Sequence, residues 1–99
     1  MMRRQPGSAL VTGAASGIGR EMARECARRN MNLLLVDRNA DGLRDTADII
    51  RAHHAGCDIR TFTVDLAAHD AADRCIAFCD ENGLQIDFLI NNAGIFFFD

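Results

Sequence analysis

Four short apolar runs alternate with three amphipathic segments along this chain. In the second run, Leu33 to Val36 follow one another without polar alternation, which is typical of a strand covered on both faces in a parallel sheet. The strands are predicted at residues 8–11, 32–36, 59–64 and 86–90. Strands that alternate with helices in this way predict an α/β fold, in which right-handed crossovers place helices on both faces of a doubly wound parallel sheet.

Each segment between two strands has apolar residues at helical spacing. The helices are predicted at residues 18–29, 40–54 and 68–82. Their inward stripes are Ile18, Met22 and Cys26; Leu43, Ala47 and Ile50; and Ala72, Ile76 and Cys79. Asn39 is a predicted N-cap of the second helix, and Asn30, Gly56 and Gly83 are predicted to end the three helices.

The stretch Thr12-Gly13-Ala14-Ala15-Ser16-Gly17-Ile18-Gly19 joins the first strand directly to the first helix. The N–H groups at a helix start have no intrahelical acceptor and attract an anion, so this turn predicts a site for a pyrophosphate. Gly13 permits a tight turn, Gly17 lets phosphates approach the backbone, and Gly19 lets the helix lie close to the sheet. Turns and helix caps also collect glycine, so this spacing alone leaves a purely structural turn open.

Four positions with distinctive chemistry recur at intervals of 24 to 28 residues, each at the end of a predicted strand: Gly13, Asp37, Asp65 and Asn91. Parallel strands end at one edge of a sheet, so these positions are expected together at the carboxyl edge. Open α/β sheets bind their ligands there.

Asp37 lies 18 residues after Gly19, near the spacing expected of an acid that accepts from both hydroxyls of an adenosine ribose. Its charge would repel a 2′-phosphate, which favours NAD over NADP. Arg38 leaves NADP open, since a guanidinium can stack on adenine or pair with a 2′-phosphate. A turn or capping role is the structural alternative for Asp37.

Two further segments complete the predicted site. Asp65 is suited to accept from the adenine amine with the Leu66 N–H beside it as a donor, and an N-cap role is its alternative. The fourth strand is followed by Asn91-Asn92-Ala93-Gly94. Its amides are expected to tie strands together, and Gly94 to admit a ribose.

These four motifs, in this order and at this spacing, resemble the short-chain dehydrogenase/reductase family over residues 8–94. The resemblance implies a Rossmann-type fold that binds NAD(P), and hydride transfer between nicotinamide and a carbonyl or alcohol substrate. It also implies that Gly13, Ser16, Gly17, Ile18 and Gly19 line the pyrophosphate, Asp37 the ribose, Asp65 and Leu66 the adenine. Asn92, Ala93 and Gly94 are then near the adenosine ribose, and Asn91 stabilises the sheet.

The catalytic half of that family has no counterpart here. Its serine and tyrosine-x-x-x-lysine follow the fourth strand, and this sequence of 99 residues contains neither tyrosine nor lysine. Ser8 and Ser16 lie in the wrong part of the fold to replace them. The sheet is expected to continue with further strands, so that the three phenylalanines Phe96 to Phe98 either pack beneath them or line the substrate cleft. We therefore expect residues 1–99 to be the N-terminal, cofactor-binding part of a longer enzyme, inactive alone, with a homo-oligomeric full-length protein.

Composition narrows the choice of partners. A net charge of −3 gives no electrostatic argument for nucleic acid or for an anionic membrane. The four cysteines form no C-x-x-C pair and are interpreted as reduced thiols of a cytoplasmic protein. Cys75 and Cys79, with His69 or with His53, His54 and Cys57, offer a weaker alternative as metal ligands, and no metal site is predicted.

Two other functions are consistent with parts of this pattern. A free-standing dinucleotide-binding module needs no catalytic residues. A Rossmann-like methyltransferase also uses a glycine turn and an acid on ribose, although the Asn91-Asn92-Ala93-Gly94 segment argues against it.

Overall fold

Seven elements alternate between strand and helix in the computed structural model, which describes residues 7–92. The strands are β1 (Ser8–Thr12), β2 (Asn32–Asp37), β3 (Ile59–Thr63) and β4 (Phe88–Ile90). The helices are α1 (Gly17–Arg28), α2 (Ala40–His53) and α3 (Ala71–Glu81). The predicted order is confirmed, and the largest boundary differences are the later starts of α3 and β4.

All four strands pair in parallel, in the spatial order β3-β2-β1-β4. The chain therefore builds the sheet outward from β1 in one direction and then crosses back to add β4 on the other side of β1. Such a reversal of strand order opens a crevice at the carboxyl ends of β1 and β4, where doubly wound folds place their ligands. The loop that follows β1 lies at this reversal.

Two separate hydrophobic cores cover the two faces of the sheet. Successive side chains of a strand point to opposite faces. Val11 and Leu35 accordingly belong to one core, which includes buried residues of α1 and α2, whereas Leu10 and Leu34 belong to the other, which includes α3. Helices on both faces explain why the central strands are apolar at consecutive positions.

Helix α1 contacts the sheet through small side chains, which corrects the predicted stripe. Gly19, Ala23 and Ala27 are buried with Cys26, whereas Ile18 is 67% exposed and Met22 is 41% exposed. A Cβ at Gly19 would lie 1.9 Å from the carbonyl oxygen of Gly13, so a larger side chain cannot fit there. Close packing of α1 on the loop thus selects the small residues rather than the largest apolar ones.

The predicted helix ends are confirmed in most cases. The Asn39 side chain accepts from the N–H of Gly42 at 3.0 Å, and Asn30 and Gly83 take the left-handed conformation just past α1 and α3. Gly56 does not, because α2 already ends at His53. In α3 the fully buried positions are Ala71, Cys75 and Cys79, while Ala72 and Ile76 are only half-buried.

A second close approach involves Gly42 in the first turns of α2. A Cβ at Gly42 would lie 2.6 Å from the Cβ of Ala15 and 2.8 Å from its carbonyl oxygen. The start of α2 therefore touches the loop after β1, and the absence of a side chain at Gly42 permits that contact.

The variant Gly42→Ala is expected to lower the free energy of unfolding by about 1–3 kcal/mol, since neither the Ala15 backbone nor its Cβ can move aside easily. Gly56→Ala is the matched control. A Cβ there meets nothing within 4 Å, and its φ is not positive. We expect a change within about 0.5 kcal/mol for this control. Urea denaturation measures both, and equal effects would contradict the close contact.

Candidate cofactor site

The loop between β1 and α1 turns sharply and then exposes the start of the helix. Gly13 and Gly17 both adopt positive φ, at 66° and 57°, which only glycine adopts readily. Ser16 precedes the helix in an extended conformation, and its side chain makes no capping hydrogen bond. The predicted tight turn at Gly13 is thus confirmed.

Donors at the start of α1 have no acceptor within residues 7–92. The first intrahelical bond is that of the Arg20 N–H to the carbonyl of Ser16, so the N–H groups of Gly17, Ile18 and Gly19 are not used by the helix. A Cβ built on Gly17 meets no atom within 4 Å. Gly17 and Ile18 are exposed, whereas Gly19 is buried. An anion can therefore approach the amides of Gly17 and Ile18 closely, and the helix dipole attracts it.

Ala14 and Ala15, which come before Ser16 in this loop, have all of their backbone N–H and carbonyl groups in hydrogen bonds. The Ala14 N–H donates to the Val36 carbonyl at 3.3 Å, and the Ala15 N–H donates to the Asp37 carboxylate at 3.1 Å. Their carbonyls accept from the Thr46 hydroxyl at 2.7 Å and from the Arg20 guanidinium at 2.6 Å, respectively. The loop is therefore rigidly positioned before it reaches the exposed amides.

Asp37 ends β2 and makes two contacts with backbone. Besides the Ala15 N–H, its carboxylate accepts from the N–H of Asn39 at 3.0 Å. The turn role considered for Asp37 is thus present. Each carboxylate oxygen has a second lone pair, so the same group can still accept from a ribose.

Asp65 lies in the loop between β3 and α3. Its carboxylate accepts from the Ala67 N–H at 2.9 Å, and its carbonyl accepts from the Ala68 N–H at 3.0 Å. The N-cap alternative is wrong, because the N-cap of α3 is Asp70. Asp65 instead stabilises the turn that carries it.

A cleft of about 300 Å³ brings together the residues predicted to hold adenosine. Its walls are formed by Gly13, Asp37, Arg38, Asp65, Leu66 and Ala67. Arg38 is exposed and makes no ion pair with any residue between 7 and 92. Two carboxylates and one guanidinium thus share this cleft at the carboxyl edge of the sheet.

The end of β4 is fastened to β1 by a buried threonine. The Thr12 hydroxyl donates to the side-chain oxygen of Asn91 at 3.0 Å and accepts from the Asn92 N–H at 2.8 Å. The side-chain nitrogen of Asn92, Nδ2, lies 2.9 Å from an ideal Cβ at Gly19, so Asn92 adjoins the start of α1. The predicted tie between strands is present at Asn91, whereas Ala93 and Gly94 lie outside the described residues, as do Ile95 to Phe98.

Three residues of this site were not singled out from the sequence: Arg20, Gly42 and Thr46. Thr46 had a usable signal, because it falls at helical spacing with Leu43, Ala47 and Ile50 and is fully buried. Gly42 also had a usable signal. A glycine inside a helix lowers stability, so its presence there usually indicates that another part of the chain packs closely against it. Nothing distinguished Arg20 from the other charged residues of α1.

The cysteines do not form a metal site. All four are free, and burial raises the pKa of the Cys75 thiol to about 11. Across residues 7–92 no three potential ligand side chains come together. The alternative built on Cys75 and Cys79 therefore has no support. In the same range, no helix is both long and apolar enough to span a bilayer.

The sequence profile of the short chain dehydrogenase family matches residues 8–98, and the chain therefore belongs to this family. It is 41% identical over 86 residues to a very-long-chain 3-oxoacyl-CoA reductase of Aspergillus clavatus, covering 87% of this chain and 25% of that protein. The corresponding protein of Rattus norvegicus is 34% identical over 87 residues, covering 88% of this chain and 27% of that protein. The chain thus spans about a quarter of the length of these curated relatives.

Solved structures of dehydrogenases and reductases share the fold. The L-sorbose reductase of Gluconobacter frateurii, complexed with NADPH and L-sorbose, matches with a TM-score of 0.82 and 29% identity over 91% of this chain and 34% of that chain. A bulky-bulky ketone specific alcohol dehydrogenase of Comamonas testosteroni matches with a TM-score of 0.77 and 34% identity, over 90% and 36%. The Rossmann-type fold and the resemblance inferred from the motifs are confirmed.

Proposed function

We propose that residues 1–99 form the dinucleotide-binding part of an NAD(P)-dependent oxidoreductase. The observation that carries this proposal is the set of exposed amides at the start of α1, beside a cleft that contains Asp37 and Asp65. A pyrophosphate fits the amides, because Gly17 leaves open space in front of them. The NADPH in the related L-sorbose reductase supports the same class of cofactor.

Each predicted residue has a defined role in this proposal. The residues that line the pyrophosphate are Gly13, Ser16, Gly17, Ile18 and Gly19. Asp37 and Arg38 surround the adenosine ribose, Asp65 and Leu66 hold the adenine, and Asn92 with Ala93 and Gly94 approaches the ribose from β4. When bound, the nicotinamide supplies the hydride donor or acceptor for a small carbonyl or alcohol substrate.

NAD is the cofactor that Asp37 favours. Its carboxylate is fixed by two backbone N–H groups, so swinging away from a 2′-phosphate would break both bonds. Against this, Arg38 is exposed beside the same cleft and is available to pair with a phosphate. The proposal is therefore NAD, with NADP as the competing cofactor that a specificity variant distinguishes.

The catalytic acid and base belong to residues outside these 99. The chain contains no tyrosine and no lysine, the residues that the family uses to move the hydroxyl proton. We infer that residues 1–99 are inactive alone and that the native protein is a longer enzyme, homo-oligomeric when complete. Its four free thiols support a cytoplasmic location. A non-catalytic binding module is the alternative that the same lack of tyrosine and lysine favours.

Gly17→Ala is expected to weaken NADH binding by at least about tenfold, since a Cβ enters the space needed by the phosphates. The substitution also forces alanine into a positive φ, at a cost of about 1–2 kcal/mol. Gly83→Ala is the matched control, with φ at 64° and equally open space but far from the amides. Titration calorimetry with NADH should find loss of affinity in Gly17→Ala alone, and equal affinities in the two variants would overturn the phosphate site.

Asp37→Asn is expected to raise the affinity for NADP relative to NAD by at least about fivefold, because one close charge repulsion is removed. The amide keeps an oxygen that can accept a backbone N–H. Asp41→Asn removes the same charge from an exposed position in the first turn of α2 and should leave the ratio unchanged. Competition binding measures both ratios, and an unchanged ratio in Asp37→Asn would contradict the ribose assignment.

Intact mass spectrometry of the native gene product distinguishes the enzyme from the binding module. A mass at least about twice the 10.9 kDa of these residues, with cofactor-dependent dehydrogenase activity, is expected for the enzyme. A native mass near 10.9 kDa without turnover would favour the module.

A further inference from the structure

Arg20 occupies an unusual position for a charged residue. Its Nη2 donates to the carbonyl of Ala15 at 2.6 Å, and its Nε donates to the Thr46 hydroxyl at 2.9 Å. Both acceptors are neutral, and no acidic side chain between residues 7 and 92 forms an ion pair with Arg20. By contrast, Arg24 on the same helix is paired with Glu21. A half-buried, uncompensated positive charge therefore lies at the start of α1.

The contact between Arg20 and Ala15 also determines the direction of the next amide. A trans peptide unit is planar, so the Ser16 N–H points away from the carbonyl of Ala15 to which it is joined. Holding that carbonyl against Arg20 consequently aims the Ser16 N–H toward the opposite side. The exposed amides of α1 follow immediately.

Thr46 of α2 also restrains this loop. Its hydroxyl accepts from Arg20 and donates to the carbonyl of Ala14, which links α2 to both residues of the loop. The hydroxyl is fully buried, so water cannot replace either bond cheaply. Arg20 and Thr46 thus form one hydrogen-bonded pair that restrains the loop between β1 and α1, and we call this pair the bracket.

We propose that Arg20 is a positioning residue for the cofactor pyrophosphate. It fixes the peptide that precedes the phosphate-binding amides, and its guanidinium forms no ion pair with any residue between 7 and 92. Thr46 holds Arg20 in place for this purpose. The inference rests on the proposed dinucleotide function, and it extends that function to two residues outside the glycine motif.

The test compares a ligand that has a pyrophosphate with one that lacks it, in the native gene product that carries this sequence. Arg20→Met should weaken ADP-ribose binding by about tenfold, the loss expected for a charge-assisted interaction, while adenosine affinity changes by less than about twofold. Arg20→Lys retains the charge and should recover part of the loss. Arg24→Met, on the same helix, should leave both affinities unchanged.

Thr46→Val keeps Arg20 and removes its acceptor, so it should also weaken ADP-ribose more than adenosine. Combined with Arg20→Met it should add little, since both variants break the same bracket. If Arg20→Met does not fold, Arg20→Lys and Thr46→Val carry the same comparison. A purely structural role predicts equal losses for both ligands, and that result would overturn the inference.

Failure of the inference can be told apart from failure of the proposed function. Wild-type protein that binds ADP-ribose, with Arg20→Met unchanged or weakened equally for adenosine, overturns the positioning role alone. Wild-type protein that binds neither ADP-ribose nor NADH overturns the dinucleotide function and the inference with it.

Discussion

The geometry of the candidate site depends on the backbone of Ala14 and Ala15. All four of their polar groups are bonded to parts of the protein that come from β2, α1 and α2. Loops usually leave such groups to water, which permits them to move. Here each bond removes one choice of conformation, so the amides that follow are presented in a fixed direction before any ligand arrives. Preorganisation of this kind lowers the free-energy cost of ordering the loop when a ligand binds.

The loop between β1 and α1 connects the packed sheet to the candidate site. Below it, β1 is the strand on which the sheet is built, and its buried side chains serve both cores. Above it, the first residues of α1 supply donors and Asp37 supplies an acceptor. Small residues at Gly19 and Gly42 let two helices close on the loop from either side. Close packing and the groups of the candidate site therefore meet in one short segment.

Sequence patterns predicted the fold and the cleft better than the contacts that hold the loop between β1 and α1 in place. The strands were evident from apolar runs, and Asp37 and Asp65 were evident because each ends or follows a strand at the same sheet edge. The inward stripe of α1 was wrong at Ile18 and Met22, since a pattern of apolar residues does not reveal that close packing excludes large ones. Thr46 lies at the helical spacing of its buried neighbours, but its contact with Arg20 was missed because a local pattern does not reveal which residues of two helices meet.

The tie between Thr12 and Asn91 joins residues separated by 79 positions. Loop closure over such a distance carries an entropic cost that must be met before the contact stabilises anything, and pairings of this kind form slowly. β4 takes its place beside β1 only when residues this far apart in the chain have paired. A chain in which only β1, β2 and β3 were paired would lack the reversal of strand order at β1, where the loop of the candidate site lies.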